Sequence, residues 1–273
     1  MQTSPSTRTV HAAWRVACIV AYLAMIAVNA LANALPLFGR STGEVSDTYP
    51  TLFTPAGYTF SVWGVIYLLL AGFVIYQALP RSANNPRLVA ARPLFVLSSV
   101  LNALWLVSWH ALAITVSELL MLALLVVLIL LYVRAGAWRA AAPSLERWLV
   151  DLPFAIYLGW ISVATIANTS IFLVSLGVDG GSAATLITVV MVSAAALLGL
   201  LAAVTRRDWG YALVIAWGLG GIAAARGGGP VTTAALVAVG ALAVAAVVAI
   251  VTGGRYTSPA MRNIDPNPAP PRY

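Results

Sequence analysis

His110 and Glu118 are the side chains whose types and spacing most directly invite chemistry. An imidazole and a carboxylate eight residues apart can share a metal ion or relay a proton. No further ligand stands nearby, and the very short turn between them separates two apolar spans, so both fall at an expected membrane boundary. Interfacial solvation is the expectation for the pair. Elsewhere no nucleophile, base and orienting acid converge and no metal-spacing cluster appears, so no catalytic residue, metal ligand or required cofactor is assigned and no enzyme is expected. The single cysteine, Cys18, lies inside the first apolar span, where it reads as a small packing residue rather than a reactive thiol.

Other residues repeat at helical spacing. Trp63, Tyr67 and Leu70 stand at i, i+4, i+7, and Asn102, Trp105 and Trp109 at i, i+3, i+7. Trp160, Ala164 and Asn168 recur every four residues. Each trio shares one helix face. An amide in hydrocarbon is costly unless it meets protein partners, so the Asn102 face should point inward. A ring, a small gap and an amide on one stripe make a pocket wall suited to a flat, mostly apolar ligand. Tight helix packing is the alternative for each of these residues.

The elements that must position them are membrane helices. The chain has 273 residues, of which 61% are hydrophobic and 8% charged, against about a quarter charged in soluble domains. It cannot cover a water-facing surface and is expected to be an all-α, polytopic membrane bundle partnered by the lipid bilayer. The net charge of +7 comes from arginines clustered between apolar spans rather than along one face, which argues against nucleic acid as a partner.

Residues 1–13 form a polar N-terminal tail. The first span follows from Val16 to about Phe38, with Asn29 and Asn33 one turn apart as on a bundle helix; a cleavable signal peptide is the alternative. The connection from Gly39 to Gly57 is long enough for a ligand lid, or is an amphipathic hairpin at the headgroup level. The second span begins behind the aromatic stretch from Phe53, the third near Leu94, the fourth runs over Leu119–Val133, and the fifth follows Asp151.

Three Ala/Val/Gly-rich spans are expected near Ala183–Thr205, Gly210–Ala225 and Val231–Thr252. Ala241, Ala245 and Ala249 on the last form a small-residue ridge suited to close helix packing or oligomerisation, a homodimer included. The Gly227–Pro230 turn lacks the context of a phosphate loop. The Pro/Asn-rich residues 253–273 should be a disordered tail. With eight spans and the N-terminus inside, thirteen arginines fall on inner segments and two, Arg40 and Arg226, on outer ones. That asymmetry supports both the count and cytoplasmic termini in a bacterial plasma membrane.

Three stretches resemble the translocator protein or tryptophan-rich sensory protein (TspO/MBR) family, in the family's order. In the first, Thr54, Pro55, Phe60, Val62, Trp63, Val65 and Tyr67 match, Phe53 and Tyr58 stand where the family has tryptophans, and Ser61 replaces a Pro-Pro pair. In the second, Asn102-Ala103-Leu104-Trp105 repeats a string typical of the third helix. In the third, Tyr157, Leu158, Trp160, Ala164 and Asn168 match the last helix at its spacing.

The resemblance covers about residues 16–176, so it implies a five-helix core over 14–176 with three additional helices over 177–252. It also implies binding of a planar hydrophobic ligand, porphyrin- or haem-like or sterol-like, with a receptor, sensory or transport role. The implied ligand-binding residues are Phe53, Pro55, Tyr58, Phe60, Trp63, Tyr67, Asn102, Trp105, Tyr157, Trp160, Ala164 and Asn168. A sterol-type pattern occurs loosely as Leu130-x-Tyr132-x-Arg134 and at Val251, Tyr256 and Arg262. A secondary transporter using the additional helices and a tetrapyrrole-degrading activity are the alternatives.

Overall fold

Hydrocarbon offers the backbone no hydrogen-bonding partners, so a chain of this composition must satisfy its amides within helices. A computed structural model of the protein describes residues 5–35, 37–136 and 144–253. Among these residues all regular structure is helical: α1 (Pro5–Ala34), α2 (Thr42–Thr48), α3 (Val62–Ala78), α4 (Pro86–His110), α5 (Ile114–Arg134), α6 (Ser144–Glu146), α7 (Leu152–Ser175), α8 (Ala184–Arg206), α9 (Trp209–Arg226) and α10 (Gly229–Gly253). Seven of the described helices are long and apolar enough to cross a membrane. The protein is an all-α polytopic membrane bundle.

The eighth expected span, α9, is not among those seven. Its 18 residues are rich in Gly and Ala and extend about 27 Å. It still runs from one end of the bundle to the other. At its start Asp208 caps the helix by accepting from Tyr211 N (2.9 Å) and accepts from the hydroxyl of Tyr132, near the end of α5 (2.6 Å). At its far end Arg226 reaches Thr54 O on the opposite side.

Local signals set the other ends. Asn85 caps α4 through Arg87 N (3.0 Å), with Pro86 in the first turn. Gly227, at φ +67°, closes α9 in the left-handed conformation. Helix α1 starts at Pro5, so the expected polar tail supplies its first turns. Residues 137–143, with Trp138 and Arg139, and the expected tail beyond Gly253 lie outside the described residues.

Helix α7 is the hub, with 78% of its apolar span buried against 22–44% for the other six. It packs on α5 and α3 to one side and on α9 to the other, while α1 packs on α4 and α3, α4 on α5, and α8 and α10 on α9. Contact between α7 and α9 is close enough that a Cβ on Gly159 would meet Val214 Cγ1 at 2.4 Å. Of the expected α10 ridge, Ala249 is buried, Ala245 half-buried and Ala241 exposed, and the face turned to the bundle is Ala235, Ala238, Leu242, Ala246 and Ala249. Leu242 seats where Gly199 leaves room on α8, its Cδ2 lying 2.5 Å from a Cβ placed there. Alanines at the three-to-four spacing form most of that face, so small residues do make the close packing, on a stripe that shares Ala249 with the expected one.

Candidate functional site

The site is built under the connection between α1 and α3. Ser41 and Glu44 form a reciprocal capping box at the start of α2: Glu44 N donates to Ser41 Oγ (3.3 Å) and Ser41 N to Glu44 Oε2 (2.6 Å). This hydrogen bonding holds the exposed Glu44 carboxyl below its ordinary pKa. Helix α2 is pinned to α4, since Trp109 Nε1 donates to Thr42 O (3.1 Å).

Residues 54–61 are clamped by α9. Ala56 N donates to Gly221 O (3.0 Å), Trp217 Nε1 donates to Thr59 O (2.9 Å), and Tyr58 meets Trp217 edge-on at 5.7 Å. The approach needs glycine, because a Cβ on Gly221 would lie 2.1 Å from Thr59 Oγ1. The long connection is therefore a folded cap locked from outside.

Beneath it Trp63 gathers a group of rings. It stacks on Tyr67 (5.5 Å, 20°) and meets Trp105 at 5.8 Å, Tyr157 at 6.1 Å and Trp160 at 6.2 Å; Phe60 meets Trp160 edge-on at 6.1 Å. Pro55, Phe60, Trp63, Trp105, Trp160, Ala164 and Asn168 line one narrow cavity of about 30 Å³, room for about one or two waters. Phe60 and Trp63 also line a second space of about 350 Å³, bounded by Asn29, Thr42 and Leu106.

Two amide networks flank the rings. In one, Asn168 Oδ1 accepts from Trp105 Nε1 and Ser117 Oγ (both 3.1 Å), and its Nδ2 donates to Glu118 Oε2 (2.7 Å). In the other, Asn29 Nδ2 donates to Asn102 Oδ1 (3.0 Å) and Asn29 Oδ1 accepts from the Tyr67 hydroxyl. Trp160 Nε1 is buried with no protein partner, while Asn102 Nδ2 and Tyr157 Oη, also buried, lie against each other short of full hydrogen-bond geometry. A buried donor left unpaired costs about 1–3 kcal/mol.

Interfacial solvation of His110 and Glu118 is overturned, because both are buried. His110 Nδ1 sits 2.8 Å from Leu106 O and Nε2 3.5 Å from Thr42 Oγ1. Glu118 accepts from Asn168 and from Thr169 Oγ1 (2.7 Å). Each side chain finds neutral partners on a packed neighbour, α2 or α7, that helix-boundary reasoning does not foresee. Among the described residues no group of three metal-ligating side chains forms.

A family model described as TSPO-like protein matches residues 15–252. The chain belongs to the TSPO-like family. The match runs on through α8, α9 and α10, so in this TSPO-like chain the three helices beyond residue 176 lie within the matched pattern. No curated protein and no solved structure matches the chain.

Of the twelve residues singled out from the sequence of this TSPO-like protein, seven line the narrow cavity. Tyr67, Asn102 and Tyr157 belong to the ring and amide layer around Trp63. Phe53 is buried against a separate groove, and Tyr58 is 56% exposed on the outside of the cap. Ser46, Trp109, Val163, Ala167 and Ile171 line the cavity without having been assigned. The last three interleave with Trp160, Ala164 and Asn168 at helical spacing, and the Ser41-x-x-Glu44 capping box signals α2, which delivers Ser46. Nothing in the local sequence marks Trp217 or Gly221 as clamps on the cap. The Leu130-x-Tyr132-x-Arg134 pattern has another use: Tyr132 is buried, bonded to Asp208 and covered by Arg206 at 5.4 Å.

Proposed function

We propose that the protein is a non-enzymatic membrane receptor or carrier that binds a planar, mostly apolar ligand of porphyrin or sterol type among the rings around Trp63. The observation that carries this is the buried layer of Asn102, Tyr157 and Trp160, whose donors make no full protein hydrogen bond and of which Trp160 Nε1 has no partner at all. An acceptor on a ligand's polar edge would recover their cost while the rings stack on its faces.

The narrow cavity is far below the roughly 300–1,000 Å³ of a usual ligand site. Entry therefore requires Phe60 and Trp63 to swing aside, joining the cavity to the larger space behind them. Asn168 has its amide committed to Trp105, Ser117 and Glu118, so it shapes the wall, while the Asn102 amide, set against the Tyr157 hydroxyl without a full hydrogen bond, is the one a ligand would engage. The arginine asymmetry supports placing the cap outside a bacterial plasma membrane and the termini in the cytoplasm.

The test is titration of purified protein with protoporphyrin IX, following tryptophan fluorescence in wild type and Trp160→Phe. Saturable quenching weakened about tenfold by the substitution, with helicity unchanged, supports the site. Non-saturable quenching, or equal affinity in the two proteins, contradicts it. Product formation from bound porphyrin would mark a degrading activity, and flux into proteoliposomes a transporter.

A further inference from the structure

A groove at the cap end of the bundle shares no lining residue with the aromatic cavity. It encloses about 530 Å³, within the size range of small-molecule sites. Residues 50–53, the end of α7, the 178–181 turn and the start of α8 form its walls. Leu173, Ile187 and Met191 make it apolar on the helix side, and Arg226 stands in its lining from the end of α9.

Arg226 is not explained by the packing around it. It is one of only two arginines on segments expected outside. Its Nη2 reaches Thr54 O at a long 3.5 Å, and its Nε is buried with no protein partner. The ion pairs among the described residues belong to Arg87, so no described carboxylate lies within 4 Å of Arg226. Arg226 is half-buried, with its Nε shielded from water, and from the groove wall it offers a planar fork that matches a carboxylate. Asp179 lines the same groove without pairing with Arg226; its Oδ1 accepts from Gly181 N (2.9 Å) and holds the turn.

We propose that this groove binds an amphipath with an anionic head, its carboxylate on Arg226 and its hydrocarbon tail between α7 and α8 against Leu173, Ile187 and Met191. The site is independent of what the aromatic cavity holds. It combines one unpaired cation, an apolar trough of sufficient volume and a position at the expected headgroup level, where a single-chain carboxylate would lie with its tail toward the hydrocarbon.

The test uses the full chain in phosphatidylcholine nanodiscs and a photoreactive diazirine analogue of dodecanoate, with cross-links mapped by mass spectrometry. The expected result is saturable labelling within residues 170–191, displaced by dodecanoate and not by dodecanol. Arg226→Gln should weaken it about tenfold, the loss of one charge-assisted contact, and Arg226→Lys should restore most of it. Asp179→Asn should tighten binding by removing a like charge, and Met191→Trp should block the trough with Arg226 intact.

Displacement by phosphatidylglycerol as well would support the anionic site and name bilayer lipid as its source. Labelling that never saturates and spreads over lipid-facing helices would overturn the proposal. Equal displacement by dodecanol would do the same, as would full labelling in an Arg226→Gln protein with an unchanged melting curve.

Discussion

The two ends of the bundle differ in what they bury, ion pairs at one and rings with amides at the other. At the Arg87 end, charges are paired: Arg87 bridges Glu146 and Asp151, donates to Ala135 O (2.6 Å), and Asn85 adds a bond to Glu146 (2.6 Å). Nearby, Arg92 is wholly buried, yet it donates to Gln77 and to the carbonyls of Ser82 and Ala83, closing the turn between α3 and α4. Around Trp63, by contrast, rings and amides fill the interior and Trp160 Nε1 is buried without a protein partner; single unpartnered atoms, Arg15 Nε and Ser82 Oγ, also occur at the Arg87 end. Satisfied networks hold a fold in one arrangement, and a buried donor without a partner calls for an explanation of its own. One end is fixed by ion pairs, and the other is where we propose that a ligand binds.

The sharpest way to break this division is to damage the paired end. Arg87→Met removes the cation that bridges the buried carboxylates Glu146 and Asp151 and should cost about 3–5 kcal/mol, read as a large fall in melting temperature in detergent. Protein that remains folded should bind protoporphyrin normally. A loss of affinity with little loss of stability would place ligand contacts at the wrong end.

Gly221→Ala acts on the cap. The new methyl collides with Thr59 and should cost about 1–3 kcal/mol by overpacking, loosen residues 51–61 in hydrogen exchange and speed ligand entry. An unchanged entry rate alongside faster exchange would mean that the cap does not gate the cavity. Trp217→Phe removes one hydrogen bond to Thr59 O and should act in the same direction by about 1 kcal/mol.

The smallest effect concerns pH. The folded protein holds the Glu44 carboxyl below its ordinary value, so the capping box contributes above the unfolded pKa of about 4.3 and is lost as pH falls through the lower folded value. Hydrogen exchange over residues 41–48 should rise in that acid window in wild type, and Glu44→Gln should remove the pH dependence. Identical profiles in the two proteins would exclude this role.

Much of the site was legible before the structure because helical period places side chains on faces. Trp160, Ala164 and Asn168 follow a four-residue rule and share the cavity wall, and Asn102 with Trp105 and Trp109 turns inward as an amide in hydrocarbon must. What stayed hidden depends on contacts between distant segments. Gly221 and Thr59 meet across 162 positions of sequence, and neither residue type announces the other. His110 and Glu118 looked solvated because their helix ends lie at a boundary, yet α2 and α7 cover them. The α10 ridge shifted for a related reason: alanines line more than one stripe of that helix, and only the partner helices select between them.

If the buried donors around Trp63 serve a ligand, Tyr157→Phe will report it, because it removes one hydroxyl while keeping the ring. The measurement is the melting temperature of this variant and wild type, each with and without protoporphyrin IX. Without ligand, Tyr157→Phe should stay within about 1 kcal/mol of wild type, because only the hydroxyl's imperfect contact with Asn102 is lost. With ligand, the stabilisation seen in wild type should shrink. A variant destabilised by more than that without ligand, yet fully stabilised by it, would contradict this role and make Tyr157 a packing residue.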